Sequence, residues 1–478
     1  MFPLKVLLIQ PSHRDCIQTL FSIYNTKEGI GFKPPIGLLY IATAIKEMTV
    51  HDVKILDCQL EDIHHENILD FVKESYDVIG INAWTDFWYQ TLEIARKLKA
   101  HYPTTHMVIG GPHVNIFPRE VLGFDFIDSI VMGDGEIPMV NLLSRITDKE
   151  ARDKEIPGVY FCGHKNTDYV PYVHHDLDSL PIPDRTLLPI ERYSSVLSSN
   201  KAVTSMITSR GCPFKCVYCK LDFQKPVFRS AENVSREFEI IRDLGIREVE
   251  VYDDTFNWNQ QRTKDICREI INKNLKLKWA IRDRVSKANE DILVDLKKAG
   301  CYRIHYGIES GSNKVLKICK KVITTDQSRF AVKLAKKHGF IILAYFMYGL
   351  PGETLEEAYK TLDFSLELDP DYSEYSIAIP YPGTEMYNNA LAEGIIPTDY
   401  WSEFVMKPKP SFTIPFVIEN LISKEELIEL RDISIKKFYF RPRYILREIA
   451  KVRSWKEFSQ KFKMSIGLLN ILRGRLVR

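Results

Sequence analysis

Two series of alternating strand and helix patterns run along the chain and restrict what it can fold into. In residues 1–150, five short apolar runs rich in Val and Ile alternate with helical patterns; the runs read KVLLIQ, DVKILD, DVIGIN, HMVIGG and FIDSIVMG. Continuous apolar runs of this length are typical of parallel strands that are buried on both faces. The sequence therefore predicts an α/β fold that begins with a doubly wound parallel sheet, whose ligands bind at the carboxyl ends of its strands.

A second alternation, from about residue 203, predicts a barrel. Six further strand patterns are each followed by a helical pattern; they read AVTSMIT, REVEVY, LKWAI, YRIHYGI, FIILAYFMYG and YSEYSIA. They predict a partial (β/α)6 barrel over residues 201–405, with its chemistry where the strands run into loops. The proline-rich residues 151–200 form a predicted connecting segment, and residues 406–478 form a predicted helical region that becomes basic from Lys436 onward.

Composition excludes several classes of protein. The formal net charge of the 478 residues is +2 and the pI is about 7.9, so no overall field attracts nucleic acid. The longest apolar run, FIILAYFMYGL, is shorter than the roughly 18–20 residues that cross a bilayer. The N-terminal MFPLKVLLIQ is typical of a first strand rather than of a secretory signal. Nine cysteines in a chain of this length do not form a disulfide framework, so we expect a reducing, cytoplasmic setting.

Three of these cysteines lie together in the segment TSRGCPFKCVYCK. Cys212, Cys216 and Cys219 follow the first strand pattern of the barrel directly, in a loop that Gly211 and Pro213 interrupt. Thiolates bind structural zinc or iron–sulfur clusters, but zinc would need a fourth ligand and the chain has no second Cys-x-x-Cys pair. On a four-iron cubane, three cysteines leave one iron without a protein ligand. The sequence therefore favours a [4Fe–4S] cluster with one open iron over zinc or unliganded cysteines.

The run CPFKCVYC resembles the Cys-x-x-x-Cys-x-aromatic-Cys motif of the radical S-adenosylmethionine (SAM) superfamily. The resemblance implies that SAM chelates the open iron and that an electron from the cluster cleaves it to a 5′-deoxyadenosyl radical. It also implies that the three cysteines are the catalytic and metal-binding residues. Tyr218 takes the aromatic position, whose backbone meets the adenine in this superfamily.

Polar residues at further strand ends suit the same cosubstrate. VYDDTF places Asp253 and Asp254 after the second barrel strand, and GIESGS places Glu309 and Ser310 after the fourth. Such acceptors suit an ammonium group and ribose hydroxyls. The alternative for each acid is a helix N-cap or a surface charge. YGLPGET after the fifth strand and IPYPGTEMY after the sixth match a branch of the same superfamily.

The first domain lacks the Gly-x-Gly-x-x-Gly of a dinucleotide-binding sheet after its first strand. Its pattern KPPIGLLYIA, IGGPH and GDGE instead resembles the cobalamin-binding domain of cobalamin-dependent radical SAM enzymes. The resemblance covers roughly residues 1–400 and implies that loops at the strand ends surround the corrin and its nucleotide tail. The residues predicted to bind cobalamin are Pro35, Gly37, Trp84, Gly110, Gly111, His113, Gly133, Gly135 and Glu136.

One segment departs from many cobalamin domains, which present Asp-x-His-x-x-Gly after the first strand. In PSHRDC, His13 has the right offset, but Pro11 and Cys16 stand where the Asp and the Gly are expected. Without a carboxylate to orient the imidazole, we expect the lower face of the cobalt to have no protein nitrogen. Trp84 is a candidate to cover that face, the alternative being ordinary packing of an aromatic ring.

The two cofactors together predict methylation of an unactivated carbon, through a 5′-deoxyadenosyl radical and methylcobalamin. The alternative keeps both cofactors but oxidises or cyclises its substrate, as in the anaerobic magnesium-protoporphyrin ester cyclase branch; the tail FYFRPRYILREI resembles tails of that group. A tRNA methylthiotransferase would need a second cysteine triplet in the first domain, where Cys16 and Cys58 cannot supply one. The non-enzymatic alternative is a cobalamin or iron sensor.

The predicted partners are a small-molecule substrate, such as a lipid or a tetrapyrrole, and an external electron donor; nucleic acid is not expected. Basic residues between 436 and 453 interleave with aromatic and aliphatic side chains. This pattern is typical either of a surface that lies on an anionic membrane or of a solvated face on helices packed against the barrel.

Overall fold

The chain divides into two compact units. A computed structural model describes residues 2–17, 32–148, 154–164, 168–195, 197–198, 202–220, 225–410, 421–452 and 466. The first unit contains the described residues among 1–19, 32–193 and 399–414, and the second contains those among 194–398 and 415–478. The first unit thus includes two stretches outside the predicted residues 1–150, and the four predicted domain boundaries stay a prediction.

The strands and helices of the described residues are numbered in chain order. The strands are β1 (Lys5–Gln10), β2 (Asp52–Asp57), β3 (Val78–Asn82), β4 (His106–Gly110), β5 (Ser129–Val131), β6 (Val159–Phe161), β7 (Val203–Met206), β8 (Ser209–Arg210), β9 (Val227–Phe228), β10 (Glu248–Val251), β11 (Lys278–Asp283), β12 (Cys301–Glu309), β13 (Ile341–Tyr348) and β14 (Tyr372–Ile377). The helices are α1 (Ile36–Met48), α2 (Cys58–Glu61), α3 (Ile68–Phe71), α4 (Trp88–His101), α5 (Pro118–Val121), α6 (Glu136–Thr147), α7 (Ala231–Asp243), α8 (Gln260–Asn272), α9 (Glu290–Lys298), α10 (Asn313–Ile318), α11 (Thr325–Lys337), α12 (Leu355–Leu368), α13 (Glu385–Ala392), α14 (Tyr400–Met406), α15 (Lys424–Tyr439) and α16 (Pro442–Ala450).

A six-stranded sheet forms the centre of the first unit. Its order is β2-β1-β3-β4-β5-β6, with the first five strands parallel and β6 antiparallel to β5. The five parallel strands fall within the five apolar runs of the sequence, and the predicted doubly wound sheet is confirmed. The sequence pattern does not predict β6, because this three-residue strand at the edge of the sheet buries only Val159.

Helices and strands bury both faces of this sheet. On one face, Leu8 and Val108 of the strands join a hydrophobic cluster with Ala42 of α1 and Leu142 of α6. The alternate strand residues, such as Ile79, are equally buried on the opposite face, which explains why the apolar runs are continuous. In the sheet, β1 lies between β2 and β3. The chain therefore connects β1 to β2 on one side, and then passes back over β1 to form β3 on the other side. Such a switch point opens a crevice at the carboxyl ends of β1 and β3.

The second unit contains a parallel sheet with its strands in chain order, β7-β10-β11-β12-β13-β14. Helices α7, α8, α9, the pair α10 and α11, and α12 connect consecutive strands, and α13 follows β14. This is the partial (β/α)6 barrel that the sequence predicts. The short strands β8 and β9 form a separate antiparallel pair between β7 and α7.

Burial alternates along the last two barrel strands. Phe346, Tyr348 and Tyr375 are buried, whereas Tyr345 and Glu374 in the alternate positions are partly exposed. Alternate residues of a strand point to opposite faces of the sheet. We call the second face, which carries Tyr345 and Glu374, the lumen face; its partial exposure shows that solvent reaches it.

The C-terminal helices α15 and α16 complete the second unit. The Tyr439 hydroxyl accepts a hydrogen bond from the N–H of Ser373 (3.0 Å) and donates to its carbonyl (2.7 Å), so α15 covers the edge strand β14. Arg441 and Arg447 both form ion pairs with Asp369, at 2.8 and 2.9 Å. These contacts agree with the prediction that the basic helices pack against the barrel. Within the described ranges, the protein has no helix that combines the length and the apolarity needed to cross a membrane.

Candidate active site

The three cysteines lie on a loop between β8 and β9, and this pair of short strands closes the loop at its base. Cys212 is buried, Cys216 is partly buried and Cys219 reaches the surface. The chain turns tightly between the last two, where the N–H of Cys219 donates to the carbonyl of Cys216 at 3.0 Å. The loop therefore presents Cys216 and Cys219 within a single compact turn.

Neighbouring elements hold the cysteine loop in place. The N–H of Val217 donates to the carbonyl of Cys319 after α10 (3.1 Å), and its carbonyl accepts from the N–H of Met386 in α13 (2.8 Å). The Arg284 guanidinium lies 3.5 Å from the centre of the Phe214 ring. Three separate parts of the barrel thus fix a loop for which the sequence predicts only an interruption by glycine and proline.

The thiols lie close enough to influence one another electrostatically. The pKa of Cys219 is raised to about 12, mainly because the surrounding protein desolvates the thiolate and further because Cys216, Asp254 and Cys212 are near. Among the described residues, no three Cys, His, Asp or Glu side chains are arranged to hold a metal ion. The thiols are thus neighbours without a closed ligand geometry. Three thiolates are donors that an iron–sulfur cluster takes, so the residues present fit the predicted cluster.

The two adjacent carboxylates after β10 differ in what they contact. Asp253 is fully buried and accepts hydrogen bonds from the N–H and hydroxyl of Thr208 (2.6 and 2.5 Å) and from the Ser209 hydroxyl (2.6 Å). It therefore anchors the segment that leads into the cysteine loop. Asp254 is exposed and accepts one bond from the Gly211 N–H at 3.2 Å. Desolvation by the surrounding protein and the charge of Asp253 raise the pKa of Asp254. Of the two, Asp254 is the one that can offer an oxygen to a bound molecule.

Glu309 ends β12 in the left-handed backbone region, with φ +66°. Its Oε1 accepts from Lys321 Nζ at 2.8 Å, and both side chains are nearly buried. A Cβ at Gly307 would come within 2.6 Å of this oxygen, so a larger residue there would displace the Glu309 carboxylate. In the described part of the chain, Oε2 has no partner and can accept from a hydroxyl. Ser310 is fully buried and bonds the Thr361 hydroxyl at 3.1 Å, so it shapes the loop.

Lys321 is a charged residue beside the cysteine loop that sequence reasoning missed. Its ammonium opposes the rise in the pKa that burial causes at Cys219 and Cys319, and it therefore lies close to both thiols. On either side of it, Lys320 and Val322 have φ of +52° and +54°. This region is unfavourable for a residue such as valine, so the loop is strained around the lysine. The sequence CKKV gives no indication that Lys321 lies beside the cysteine loop.

Tyr218 lies within the small hydrophobic cluster behind the loop. Its ring packs against the cluster that contains Val217, Cys319 and Leu350. Its hydroxyl is buried without a hydrogen-bond partner among the residues described. Burial, and then the charge of Glu309, raise the pKa of the Tyr218 phenol. The side chain thus serves packing, which leaves its backbone for the predicted contact with adenine.

The turn GLPGET after β13 contains a buried acid. Glu353 Oε2 accepts from the Gly349 N–H at 2.6 Å, whereas Oε1 has no partner within the described ranges. Burial raises the pKa of Glu353 to about 8, so its carboxyl is protonated at neutral pH. A cavity of about 250 Å³ lies beside this turn and is also lined by Val217 and Met386. The buried Glu353 side chain thus stabilises the turn through its bond to Gly349. The sequence alone did not identify this role.

In the first unit, the crevice at the ends of β1 and β3 brings aromatic side chains together. His13 stacks on Phe87 with ring centroids 5.0 Å apart, and Trp84 lies 6.5 Å from the same ring. Burial lowers the pKa of His13 to about 4, so its imidazole is neutral at pH 7. Trp84 is 48% exposed. An exposed indole at a switch point suits a flat ligand, and its contact with cobalamin stays a prediction.

Two glycines predicted to approach cobalamin are required by the fold itself. Gly111 has φ +100°, and a Cβ there would lie 2.3 Å from Asn82 Oδ1. Gly133 has φ +81° and pairs with Tyr172, whose carbonyl oxygen would lie 2.1 Å from a Cβ. Gly37 differs, because nothing lies within 4 Å of the position of its Cβ. The fold therefore requires glycine at positions 111 and 133 whether or not a ligand binds there.

His113 is fully buried, which separates it from an exposed ligand surface. Its Nδ1 lies 3.1 Å from the Thr85 hydroxyl, and its ring stacks on Trp88 at 4.3 Å. Burial lowers the pKa of His113 to about 3. The remaining predicted residues lie at strand and helix ends of the first unit; they are Pro35 before α1, Gly110 at the end of β4, and Gly135 and Glu136 at the start of α6.

Two family models match the chain. The Radical SAM superfamily matches residues 206–365, and the B12 binding domain matches residues 31–143. "Uncharacterized methyltransferase PH0819" of Pyrococcus horikoshii is 32% identical over 459 residues, which cover 93% of this chain and 95% of the relative. The chain belongs to the cobalamin-binding radical SAM enzymes. The predicted family, enzyme class and cofactors, a [4Fe–4S] cluster, SAM and cobalamin, are thereby confirmed, as is the general prediction of a cobalamin-dependent methyltransferase.

Two further comparisons describe the position within this family. The anaerobic magnesium-protoporphyrin IX monomethyl ester cyclase of Rubrivivax gelatinosus is 24% identical over 95% of this chain and 81% of the cyclase. The structure of the cobalamin-dependent radical SAM enzyme OxsB with aqua-cobalamin and SAM bound shares the fold, with TM-score 0.73 and 16% identity over 98% of this chain and 72% of that one. A small-molecule substrate is consistent with these cobalamin-binding radical SAM enzymes. Which residues bind each cofactor stays a prediction.

Proposed function

We propose that this cobalamin-binding radical SAM enzyme methylates an unactivated carbon of a small molecule. The observation that carries the proposal is the three-thiol loop beside Asp254 and Glu309 at the strand ends of the barrel, in a chain that also contains a B12-binding domain. When bound, the cluster and SAM supply a 5′-deoxyadenosyl radical, and cobalamin supplies a carrier for the methyl group.

The barrel residues bind and orient the cosubstrate. The three cysteines hold the cluster through their thiolates. Asp254 accepts from the ammonium group of SAM, and Oε2 of Glu309 accepts from a ribose hydroxyl. Lys321 keeps the Glu309 carboxylate in place through the 2.8 Å ion pair. Asp253 and Ser310 act indirectly, by supporting the loops that carry these groups.

The first unit binds cobalamin at the crevice of its sheet. The exposed ring of Trp84 would pack against bound cobalamin and shield its cobalt from water. His13 is neutral at pH 7, but Pro11 stands where the cobalamin motif has the aspartate that orients a metal-ligating histidine. When cobalamin is bound, His13 would therefore not be expected to ligate its cobalt.

The test is anaerobic reconstitution of the full chain with iron, sulfide and hydroxocobalamin, followed by reduction in the presence of SAM. Methyl transfer predicts both 5′-deoxyadenosine and S-adenosylhomocysteine, and neither from the Cys219→Ala variant. That variant keeps its cobalamin, because Cys219 lies in the second unit. A chain that retains cobalamin but cleaves no SAM would contradict the proposal and favour a sensor.

The second candidate is oxidative cyclisation or rearrangement with the same cofactors. It is favoured by the relation to the protoporphyrin ester cyclase, which extends over 95% of this chain. The mass of the product separates the two reactions, because methylation adds one methylene unit and cyclisation does not. 5′-Deoxyadenosine without S-adenosylhomocysteine would point to the cyclase-like reaction.

Peripheral membrane contact is a further part of the proposal, together with a cytoplasmic location and an external electron donor. Ile445, Leu446 and Ile449 of α16 are exposed next to the basic residues of that helix, which supports contact with a lipid surface. Sedimentation with anionic liposomes at low and moderate salt tests this contact. Binding that is lost in the Leu446→Glu variant is expected, and binding that the variant leaves unchanged would contradict it.

A further inference from the structure

The lumen face of the barrel carries a second group of polar side chains, below the residues that serve the cosubstrate. Glu250 of β10 and Arg303 of β12 point to this face, since they form a buried ion pair across β11 at 2.7 Å. His305 lies two residues beyond Arg303 on the same face, and its Nδ1 lies 2.9 Å from the Tyr345 hydroxyl. These contacts establish which side chains of the strands line the lumen.

The lower end of this group is closed and satisfied. Arg303 is fully buried and donates to Glu250 Oε1 (2.7 Å), the Leu197 carbonyl (2.6 Å), the Tyr302 hydroxyl (2.7 Å) and His305 Nε2 (3.0 Å). A guanidinium with this many partners fulfils a structural role. The Arg303 side chain, whose donors are taken by these partners, is therefore not a candidate for binding a ligand.

Arg282 lies closer to the strand ends than Arg303 and has fewer partners. It is paired in register with His305, and its guanidinium lies 3.8 Å from the centre of the Tyr252 ring. Its Nη1 donates a long hydrogen bond of 3.4 Å to the Val251 carbonyl, and the Tyr252 hydroxyl accepts a second bond from its guanidinium. It forms no ion pair with a carboxylate of the described chain, and the charge of Glu250, which acts on it, is already bound by Arg303.

The side chain of Arg282 is partly exposed, so a molecule in the lumen can reach it. A guanidinium has five donors in a planar fork, which matches carboxylate and phosphate oxygens. An anionic oxygen group at this point would meet guanidinium donors that no carboxylate of the described residues occupies, on a side chain that is oriented by its stacking on the Tyr252 ring.

Arg282 lies deeper in the lumen than Glu309, the residue that we assign to the ribose of SAM. Glu309 is four residues beyond His305 on β12, but the bulge after Gly307 makes this stretch as long as three residues of β13. Its level is therefore roughly 10 Å farther toward the strand ends, at about 3.3 Å per residue. Asp254 follows Tyr252 by two residues, beyond the end of β10, and the charge of Arg282 opposes the rise in its pKa. A molecule held at Arg282 therefore extends upward to the groups that we assign to SAM.

We propose that Arg282 binds an anionic oxygen group of the substrate, a carboxylate or a phosphate, and so holds the reacting carbon below the cosubstrate. The inference rests on the proposed function, because that function places a small molecule in the lumen. The methionyl carboxylate of SAM has the same chemistry and is the other source of such a group. The experiment separates the two.

The test compares the reconstituted full chain with its Arg282→Gln and Arg282→Lys variants. Arg236→Gln, at an exposed position of α7, is the matched control. Saturation-transfer NMR measures the binding of benzoate and phenyl phosphate, with benzyl alcohol as the neutral probe. A second titration measures the binding of SAM. Circular dichroism and thermal unfolding show whether each variant is folded.

We expect the wild type and the control to bind both anions in preference to benzyl alcohol. The loss of a charged hydrogen-bond donor weakens anion binding by roughly tenfold or more in Arg282→Gln. Arg282→Lys keeps part of the binding, and the affinity for SAM changes by less than about twofold in all variants. Equal anion binding by the wild type and Arg282→Gln would overturn the inference. So would a loss of SAM binding in Arg282→Gln, since it would assign the guanidinium to the cosubstrate. Formation of 5′-deoxyadenosine by the wild type tests the proposed function separately, because it needs no substrate anion.

Discussion

Replacement of Lys321 by methionine removes one half of a nearly buried ion pair. Lys321 Nζ lies 2.8 Å from Glu309 Oε1, and the two side chains are only 9% and 10% exposed. The variant leaves a buried carboxylate without its cation, and breaking such a pair costs about 3–5 kcal/mol. The neighbouring Lys320→Met is the matched control, because its pair with Glu385 is about half exposed and contributes less than about 1 kcal/mol.

The assay is a double-mutant cycle in urea with Lys321→Met, Glu309→Gln and the double variant. The cycle isolates the pair, because contributions from the rest of the chain cancel. We expect Lys321→Met to be strongly destabilising in the native background and only weakly so when Glu309 is already neutral. A displaced Glu309 also raises the KM for SAM. Equal costs for Lys321→Met and Lys320→Met, with no coupling to Glu309, would refute the argument.

Three further predictions follow from individual residues. Asp253→Asn loses acceptors of three short hydrogen bonds and is expected to lower both the stability and the iron content of the reconstituted chain, whereas Asp254→Asn keeps the iron and weakens SAM binding in calorimetry. Gly111→Ala is expected to lower the unfolding temperature and cobalamin retention, because its Cβ would lie 2.3 Å from a neighbouring oxygen. Gly37→Ala is expected to leave the unfolding temperature unchanged, because nothing lies within 4 Å of its Cβ position; equal effects on that temperature would contradict the account. The raised pKa of Glu353 means that the folded state retains its proton up to about pH 8 while the unfolded chain releases it near its ordinary value of 4.5, so this residue lowers stability progressively between these pH values. Glu353→Gln removes that loss, and denaturation curves at pH 6 and pH 8 should show the variant gaining on the wild type as the pH rises.

The period of the hydrophobic pattern was sufficient to predict both sheets. Strands that are buried on both faces need continuous Val and Ile runs, and these runs stand out in the sequence. The strand β6 shows where this signal ends. It is short, it lies at the edge and it buries a single valine, so its position depends on pairing with β5. No local pattern encodes such pairing.

The candidate site was predictable only where its residues are close in sequence. The spacing of the three cysteines is local, and so it is visible in the sequence. The different positions of Asp253 and Asp254 are not, because the alternation of a strand end decides which carboxylate turns inward. Lys321 reaches Glu309 through a turn after α10. Arg282 lies beside His305 on the lumen face because of the register of β11 with β12. Both depend on contacts that only the folded chain creates.

The most direct test of the central claim is electron paramagnetic resonance of the reduced, anaerobically reconstituted protein before and after addition of SAM. Three cysteine ligands leave one iron of a [4Fe–4S] cluster open, so we predict a cluster signal that changes on binding of SAM. We also predict that Cys212→Ala, Cys216→Ala and Cys219→Ala each lose the signal. A cluster spectrum that SAM leaves unchanged, or zinc bound at the three thiols in the presence of iron, would contradict the account.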